Sequence, residues 1–490
     1  MNYLLVFKLQ AVILAALTVA FGGSALLAAT IDDPYGKYPT LNGFLLSALL
    51  TAAFAIGFYL LGRNSKNVIF RREALAVIGT AWLSASLIGA LPYYLIIPEL
   101  DFFSALFEST SGITTTGASV LSDLERLPPS LLFWRSISQW IGGLGIVVFF
   151  VAVLSFLGAG SKVLFSRESS ADSTELDSAR IQKGIFRLMY LYFGLTAACI
   201  GALYLAGMSL FDAINHGFTT LSTAGFSTRS GSIAAFNSPA IEWVMIVFMV
   251  IGGTSFIPML RLLRGDWAAF SKSTEIKLFY AIILVTGTFT AIVLFLGDNY
   301  GTIEGSLRAS LFQVVSLITT SGFSTENYDL WSPLIQIILV LLMICGGCSG
   351  STAGGAKVIR LIVAGKIARL HIEKAYRAHV VRPLLANGQT IGRSSQEAVM
   401  VYFLTLGFTT VGGVLVVALL EPNLSLVGTV STTISCLFNI GTGFAEIGPT
   451  ETYASFKSIT KGFLSLLMVL GRVELYAILV LFVPALWKRY

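Results

Sequence analysis

Long apolar runs alternate with short polar connections along the whole chain. The runs 44–62 (FLLSALLTAAFAIGFYLLG) and 276–297 (IKLFYAIILVTGTFTAIVLFLG) reach the length of about 20 residues that a helix needs to cross a hydrocarbon layer. Run 4–29 lacks a small-residue cleavage site and carries Lys8 as its only early basic residue, so it reads as a retained span rather than a signal peptide. A second pattern recurs four times between spans: an amphipathic stretch too short to cross, then a polar turn of small residues ending in glycine. These stretches are 101–119, 209–228, 306–325 and 424–443, and their turns read TTTGAS, STAGFS, TTSGFS and FNIGTG. The aligned glycines Gly117, Gly225, Gly322 and Gly441 are separated by 108, 97 and 119 residues, too far apart for a solenoid but suited to four copies of a two-span unit around one axis.

The physics of the short stretches is restrictive. Backbone polar groups at membrane depth must be satisfied, so a non-helical turn there has to line water or be buried in protein. Four such turns predict a pore. A half-helix before each turn aims the negative end of its dipole at the axis, which favours a cation. Glycine lets successive carbonyls point inward, and Thr and Ser add neutral oxygens. Neutral oxygens suit a large monovalent ion better than Mg²⁺ or Ca²⁺, which usually demand carboxylates or keep their waters.

Composition narrows the class. Of 490 residues, 55% are hydrophobic and only 12% charged, against roughly 25% charged in a soluble domain. The net charge of +6 is dispersed between spans, which speaks for orientation rather than nucleic acid. Lys and Arg gather at 63–72, 162–187, 261–277, 357–393 and 488–489, whereas 30–43, 118–130, 226–238, 323–331 and 442–456 hold acids. By the positive-inside rule the first set is cytoplasmic, with both termini on that side.

Cys345 and Cys348 form a CxxC inside a glycine-rich membrane run, a setting for packing rather than for metal or redox chemistry. The same run, 332–369, starts as an apolar span and breaks at Cys345-Gly346-Gly347, because each glycine costs about 0.8–1.0 kcal/mol in a helix interior. Its irregular backbone should face a water-filled cavity below the turns. Arg472 and Glu474 fall within the last apolar run, where a charge is costly and normally faces a cavity or a partner. Arg135, Gln139 and Trp140 read as interfacial anchors, and His216 as a satisfied packing residue. No nucleophile with a base, and no carboxylate pair, suggests an intramembrane enzyme. A receptor or scaffold would leave four pore-like turns without purpose.

The four turns, the run FWRSISQWIGGLGIVV at 133–148, the run GGCSGSTAGGAKVIR at 346–360 and the ending MVLGRVELYAILVLF at 468–482 resemble the Trk/Ktr/HKT superfamily of potassium transporters, and within it the TrkH-like membrane subunits. The resemblance covers essentially the whole chain. It implies an all-α polytopic fold of about ten transmembrane helices, with an N-terminal pair (1–72) ahead of four pseudo-fourfold pore units. These units are 73–160, 184–265, 274–370 and 393–490, with cytoplasmic connections at 161–183 and 371–392. It implies potassium-binding filter residues Thr115, Thr116 and Gly117; Thr223, Ala224 and Gly225; Thr320, Ser321 and Gly322; Asn439, Ile440 and Gly441. The fourth turn departs most, with Thr442-Gly443 where relatives often carry Pro-Gly. Glycine at 117 resembles the potassium-selective pattern, since sodium-preferring plant relatives often have Ser there.

The resemblance further implies an intramembrane gate from Gly346, Gly347, Gly350, Ser351, Thr352, Gly354, Gly355 and Lys357, and a pore arginine at Arg472. It implies potassium uptake across a bacterial inner membrane, a homodimer, and regulation by a cytosolic nucleotide-binding ring of the TrkA kind. No cofactor is expected in this chain, which has neither a GxGxxG nor a P-loop lysine motif. Potassium is the substrate. The basic loops would meet that partner and anionic lipid heads. Sodium- or proton-coupled symport, or less selective conduction, is the alternative mode.

Overall fold

The computed structural model describes residues 2–33, 36–65, 71–156, 178–297, 300–377, 379–380, 382–386 and 389–487. Lys66, Lys162, Arg167, Lys488, Arg489 and most of the connection 161–183 lie outside the described residues. Within them the regular structure is helical except for one pair of two-residue strands, Leu385–Ala386 and Gln389–Thr390.

The first two helices, Tyr3–Thr30 and Thr40–Gly62, form an antiparallel pair: Gly62 at the end of the second lies against the backbone of Leu4 and Lys8 at the start of the first. Phe21 anchors the pair on Trp134 of the first unit, with ring centroids 4.6 Å apart. Tyr3 stacks on Trp487, which brings the described ends of the chain to one face.

Four units follow, each an outer span, a pore helix and an inner span. The outer spans are Arg71–Gly89 with Leu91–Ile96, Ser178–Leu205, Thr274–Leu296 and Arg393–Leu420. The pore helices are Phe102–Ile113, Leu210–Leu221, Ile303–Ile318 and Leu426–Leu437. Each starts at a capping oxygen: Asp101, Ser209, Thr302 and Ser425 accept the N–H of Ser104, Asp212, Gly305 and Gly428, which satisfies a donor that has no partner within the helix. Each ends four residues before its filter glycine. The third is 16 residues long and the others 12, about one extra turn at its start.

The inner spans begin at Pro129, Pro239, Pro333 and Ser458, and here the sequence expectation was incomplete. A break was expected in the third unit, and the helix does stop at Cys345 and resume at Val358. The second inner span also bends, by 103° between Gly253 and Phe256, and the fourth by 114° between Arg472 and Tyr476. Pro258 withholds the N–H that would bond the Thr254 carbonyl in a continuous helix. Glu474 and Leu475 adopt φ of +58° and +63°, outside any right-handed helix. Six helices among the described residues are long and apolar enough to cross, or eight with each bent pair as one span. The ten expected crossings also include the inner span Pro129–Phe156 and the interrupted third one.

Candidate ion pathway

All twelve residues expected to form the filter lie in four turns of one shape. In each, the residue two before the glycine and the glycine itself have positive φ: 53° and 85° at Thr115 and Gly117, 51° and 87° at Thr223 and Gly225. Thr320 and Gly322 follow at 55° and 72°, and Asn439 and Gly441 at 57° and 93°. A left-handed threonine costs of order 1–3 kcal/mol, so its threefold repetition marks a backbone held by its surroundings. The turns then close on one another. A Cβ at Gly117 would collide with the carbonyl oxygen of Ala224, one at Gly225 with that of Ser321, one at Gly322 with that of Ile440, and one at Gly441 with that of Thr116. The contacts run in chain order and return from the fourth unit to the first, so the four turns make a ring. The deviant fourth turn keeps the same dihedral pattern.

The polar residues behind the ring differ from expectation. Arg135 is buried, not interfacial: Nε donates to Glu108 Oε1 at 2.9 Å, one terminal nitrogen to Ser227 O at 3.0 Å and the other to Ser119 Oγ at 3.1 Å. Its guanidinium also covers the Phe226 ring at 4.1 Å. Gln139 Nε2 donates to Ala224 O at 2.8 Å, and Gln139 Oε1 accepts from Phe226 N at 3.1 Å. For these two the anchor expectation failed because both side chains lie on the helix face that meets the pore helix and the neighbouring filter turn, whereas Trp140 Nε1 donates to Thr196 Oγ1 of the second outer span at 3.0 Å. His216 fits its reading, since Nδ1 meets Asp212 O at 2.8 Å and Nε2 meets Ser227 Oγ at 3.0 Å. At the mouth, the face bearing the pore-helix N-termini, Glu125 takes the N–H and hydroxyl of Ser230 from the second unit. Burial opposes its ionisation, yet those bonds hold its carboxyl below the usual range.

The residues expected to form a gate make up one segment, 346–357, directly beneath the ring. Cys348 N donates to Gly253 O at 2.9 Å and Thr352 N to Gly252 O at 3.2 Å. The Thr352 hydroxyl lies 2.9 Å from Leu221 O and accepts from Thr223 Oγ1 at 3.2 Å. Gly354 N donates to Thr320 Oγ1 at 2.6 Å, and Gly355 N to Phe438 O at 3.2 Å. The segment is therefore tied to filter residues and pore-helix ends of the second, third and fourth units. Gly346 (φ +73°) and Gly355 (φ +78°) meet backbone to backbone at its neck, where neither could carry a Cβ. Glu275, buried at the start of the third outer span, accepts from Ser349 N at 2.7 Å and Ile359 N at 3.2 Å, pinning both ends.

Arg472 is the last residue of its helix rather than mid-span, because the chain turns away immediately after it. A cation there faces the negative end of the dipole. One of its terminal nitrogens donates to Thr352 O at 2.9 Å, while Nε and the other terminal nitrogen have no partner among the described residues. Lys357 Nζ donates to Ala353 O. Glu474 does not serve Arg472; it pairs with Arg360 at 2.6 Å, which lies over the Tyr402 ring. The space bounded by Ile146, Gly350, Ala353, Lys357, Arg472 and Glu474 is about 20 Å³, room for about one water and too little for a hydrated ion. Cys345 and Cys348 are buried free thiols.

Sequence reading missed Glu108, Glu275 and a second repeat that was in view. Each inner span carries a glycine pair or its variant: Gly142-Gly143, Gly252-Gly253, Gly346-Gly347 and Gly471-Arg472. Gly142, Gly252 and Gly471 pack on the carbonyls of Ile113, Leu221 and Leu437, the last residues of their pore helices. Arg472 thus replaces the second glycine of the fourth pair.

The family described as "TrkH: Cation transport protein" matches residues 44–489. The Trk system potassium uptake protein TrkH of Salmonella typhimurium is 31% identical over 486 residues, covering 97% of this chain and 98% of its own length. Its counterpart TrkI of Halomonas elongata is 33% identical over 414 residues, covering 84% and 82%. The crystal structure of the potassium transporter TrkH from Vibrio parahaemolyticus matches with a TM-score of 0.89 at 27% identity, over 100% of both chains. A ring of four glycine turns, a polar segment beneath it and a family match from the second span to the last helix have one conclusion: this chain belongs to the TrkH family of cation transport proteins.

Proposed function

We propose that this protein takes up potassium across the bacterial cytoplasmic membrane, selecting the ion in the ring of filter turns, with the conformation seen here shut by segment 346–357. The observation that carries this reading is the closed ring of glycine-to-carbonyl contacts. It presents uncharged oxygens around an axis on which four helix dipoles converge with their negative ends, a cage for a large monovalent cation. The relatives named as Trk system potassium uptake proteins match 97% of the chain. The segment, Arg472 and Lys357 supply the barrier: two cationic side chains hold the carbonyls of Thr352 and Ala353 in a space without room for a hydrated ion.

The helix Val358–Tyr376 continues from the segment and bears Arg360, Lys366, Arg369 and Lys374. A cytosolic nucleotide-binding ring of the TrkA kind, docking there, would act on the gate through that helix. Nucleotide would bind the ring rather than this chain. Termini on the cytoplasmic side, a second copy of the chain and anionic lipid heads along the basic loops complete the proposal.

Potassium and sodium flux into vesicles holding the purified protein tests it. Wild-type protein should carry potassium in strong preference to sodium. Gly117→Ser forces a side chain against the Ala224 carbonyl and should lower that preference at least several-fold. Wild-type flux without preference, or a Gly117→Ser protein with unchanged preference, would refute the filter assignment. Repeating the potassium flux with and without sodium or proton gradients separates a channel from a symporter.

A further inference from the structure

The four filter turns share one backbone but are braced in different ways. In the first and third units the middle residue carries a hydroxyl that meets the hydroxyl two residues earlier: Thr116 with Thr114 at 2.7 Å, and Ser321 with Thr319 at 2.9 Å. The partner is itself fixed to its pore helix, since Thr114 Oγ1 donates to Thr110 O and Thr319 Oγ1 to Val315 O, both at 2.6 Å. The fourth unit has Phe438 and Ile440 at these positions. There the Asn439 amide reaches sideways, to Thr116 Oγ1 at 3.0 Å and Met468 O at 2.8 Å.

The second unit has half of the hydroxyl brace. Ser222 stands where Thr114 and Thr319 stand and donates to Phe218 O at 2.8 Å, but the middle residue is Ala224. At this turn Gln139 enters from the first unit and grips the backbone on both sides of Gly225, through the Ala224 carbonyl and the Phe226 N–H. Gln139 lies three residues before Gly142 on its inner span. The residues three before Gly252, Gly346 and Gly471 are Met249, Met343 and Met468, all buried. An amide occupies the inner span beside the one turn that has neither a complete hydroxyl pair nor, like the fourth, an amide of its own.

We propose that Gln139 is a positioning residue for ion discrimination, its two hydrogen bonds standing in for the hydroxyl pair that Ala224 cannot make and holding the Ala224 carbonyl at ligand distance from the axis. The proposal rests on the potassium-filter reading. A filter carbonyl free to shift adapts to the smaller ion, so loss of the clamp admits sodium without closing the path to potassium.

The test compares potassium and sodium flux in reconstituted vesicles for the wild type, Gln139→Met and Gln139→Met with Ala224→Ser. Methionine is the residue the other three units use, so it fits such a position. Gln139→Met should keep potassium flux and lower the potassium-to-sodium ratio roughly three- to tenfold, the worth of about one hydrogen bond. Adding Ala224→Ser recreates the hydroxyl pair with Ser222 and should recover most of the ratio, which a general loss of stability would not allow. If Gln139→Met protein does not reach the membrane, Gln139→Leu is read by the same criteria. A wild type without preference overturns the filter reading itself. A selective wild type with an equally selective Gln139→Met overturns the clamp alone, and a lowered ratio that Ala224→Ser leaves unrestored overturns the exchange of one brace for the other.

Discussion

On the mouth side of the glycine pairs the four units repeat one another closely: a capped pore helix, then a turn of four residues with two positive φ angles that ends in a glycine against the next carbonyl. Beneath those pairs the same units diverge. The first inner span runs unbroken to Phe156, the second turns through 103°, the third opens into a segment of glycine and small polar residues, and the fourth ends on an arginine and turns through 114°. A ring can recognise one ion only if its members agree, whereas a barrier across a pore needs a single element that the others support. On the function proposed above, repetition serves selection and divergence serves control.

The strongest way to break this comparison is to attack the shared seam. A Cβ at Gly142 would fall on the carbonyl of Ile113, while one at Gly145, a turn further along the same helix, finds only Trp82 Cζ2 at 3.8 Å. Gly142→Ala should therefore destabilise by about 3 kcal/mol, the upper range for overpacking. Gly145→Ala should be neutral or stabilising by up to about 1 kcal/mol, the helix propensity gained. Thermal unfolding of the two purified variants in detergent decides; equal midpoints would mean that the glycine pairs are not a packing seam.

A smaller effect is expected where the units differ. Arg472→Ala removes a cation and the bond to Thr352 O, and should raise resting potassium flux roughly tenfold, about 1.4 kcal/mol off the barrier. Unchanged conductance, rectification and apparent affinity would remove the arginine from the barrier. Glu275→Gln keeps the shape and an acceptor oxygen for Ser349 N and Ile359 N but removes the carboxyl, a change worth about 1 kcal/mol or less. It should raise resting flux a few-fold and leave the potassium-to-sodium ratio as it was. A changed ratio would show that the segment and the ring cannot be separated in function.

The pore helices, the turns and the broken third span were legible in the sequence because each leaves a local mark: a capping residue, a glycine at a fixed offset, a run of residues no helix sustains. The partners of buried charges were not. Arg135 stands seven residues into an apolar span, and only the fold brings Glu108, 27 residues earlier, and Ser227, 92 residues later, against it. Glu275 opens a long apolar helix and reads as an ordinary first-turn acid until segment 346–357 is seen to hang on it. The bends in the second and fourth inner spans escaped for another reason. Continuous hydropathy through FMVIGGTSFIPML and LLMVLGRVELYAIL signals burial in the bilayer and says nothing about direction. Pro258 and the Gly471-Arg472 pair were the available clues.

The glycine contacts run from the first turn to the second, third and fourth and back again, and such a loop of neighbours has no loose end. A displaced turn pushes on one neighbour and is pushed by another, so a disturbance comes back to its origin instead of dying away at an edge. Four nominal sites then behave as one mechanical object, and a change in any turn has to be matched by a change in what packs against it. Alanine at position 224, where the first and third turns carry a hydroxyl, is one such difference, and its proposed counterpart, Gln139, sits on a different helix, 85 residues earlier.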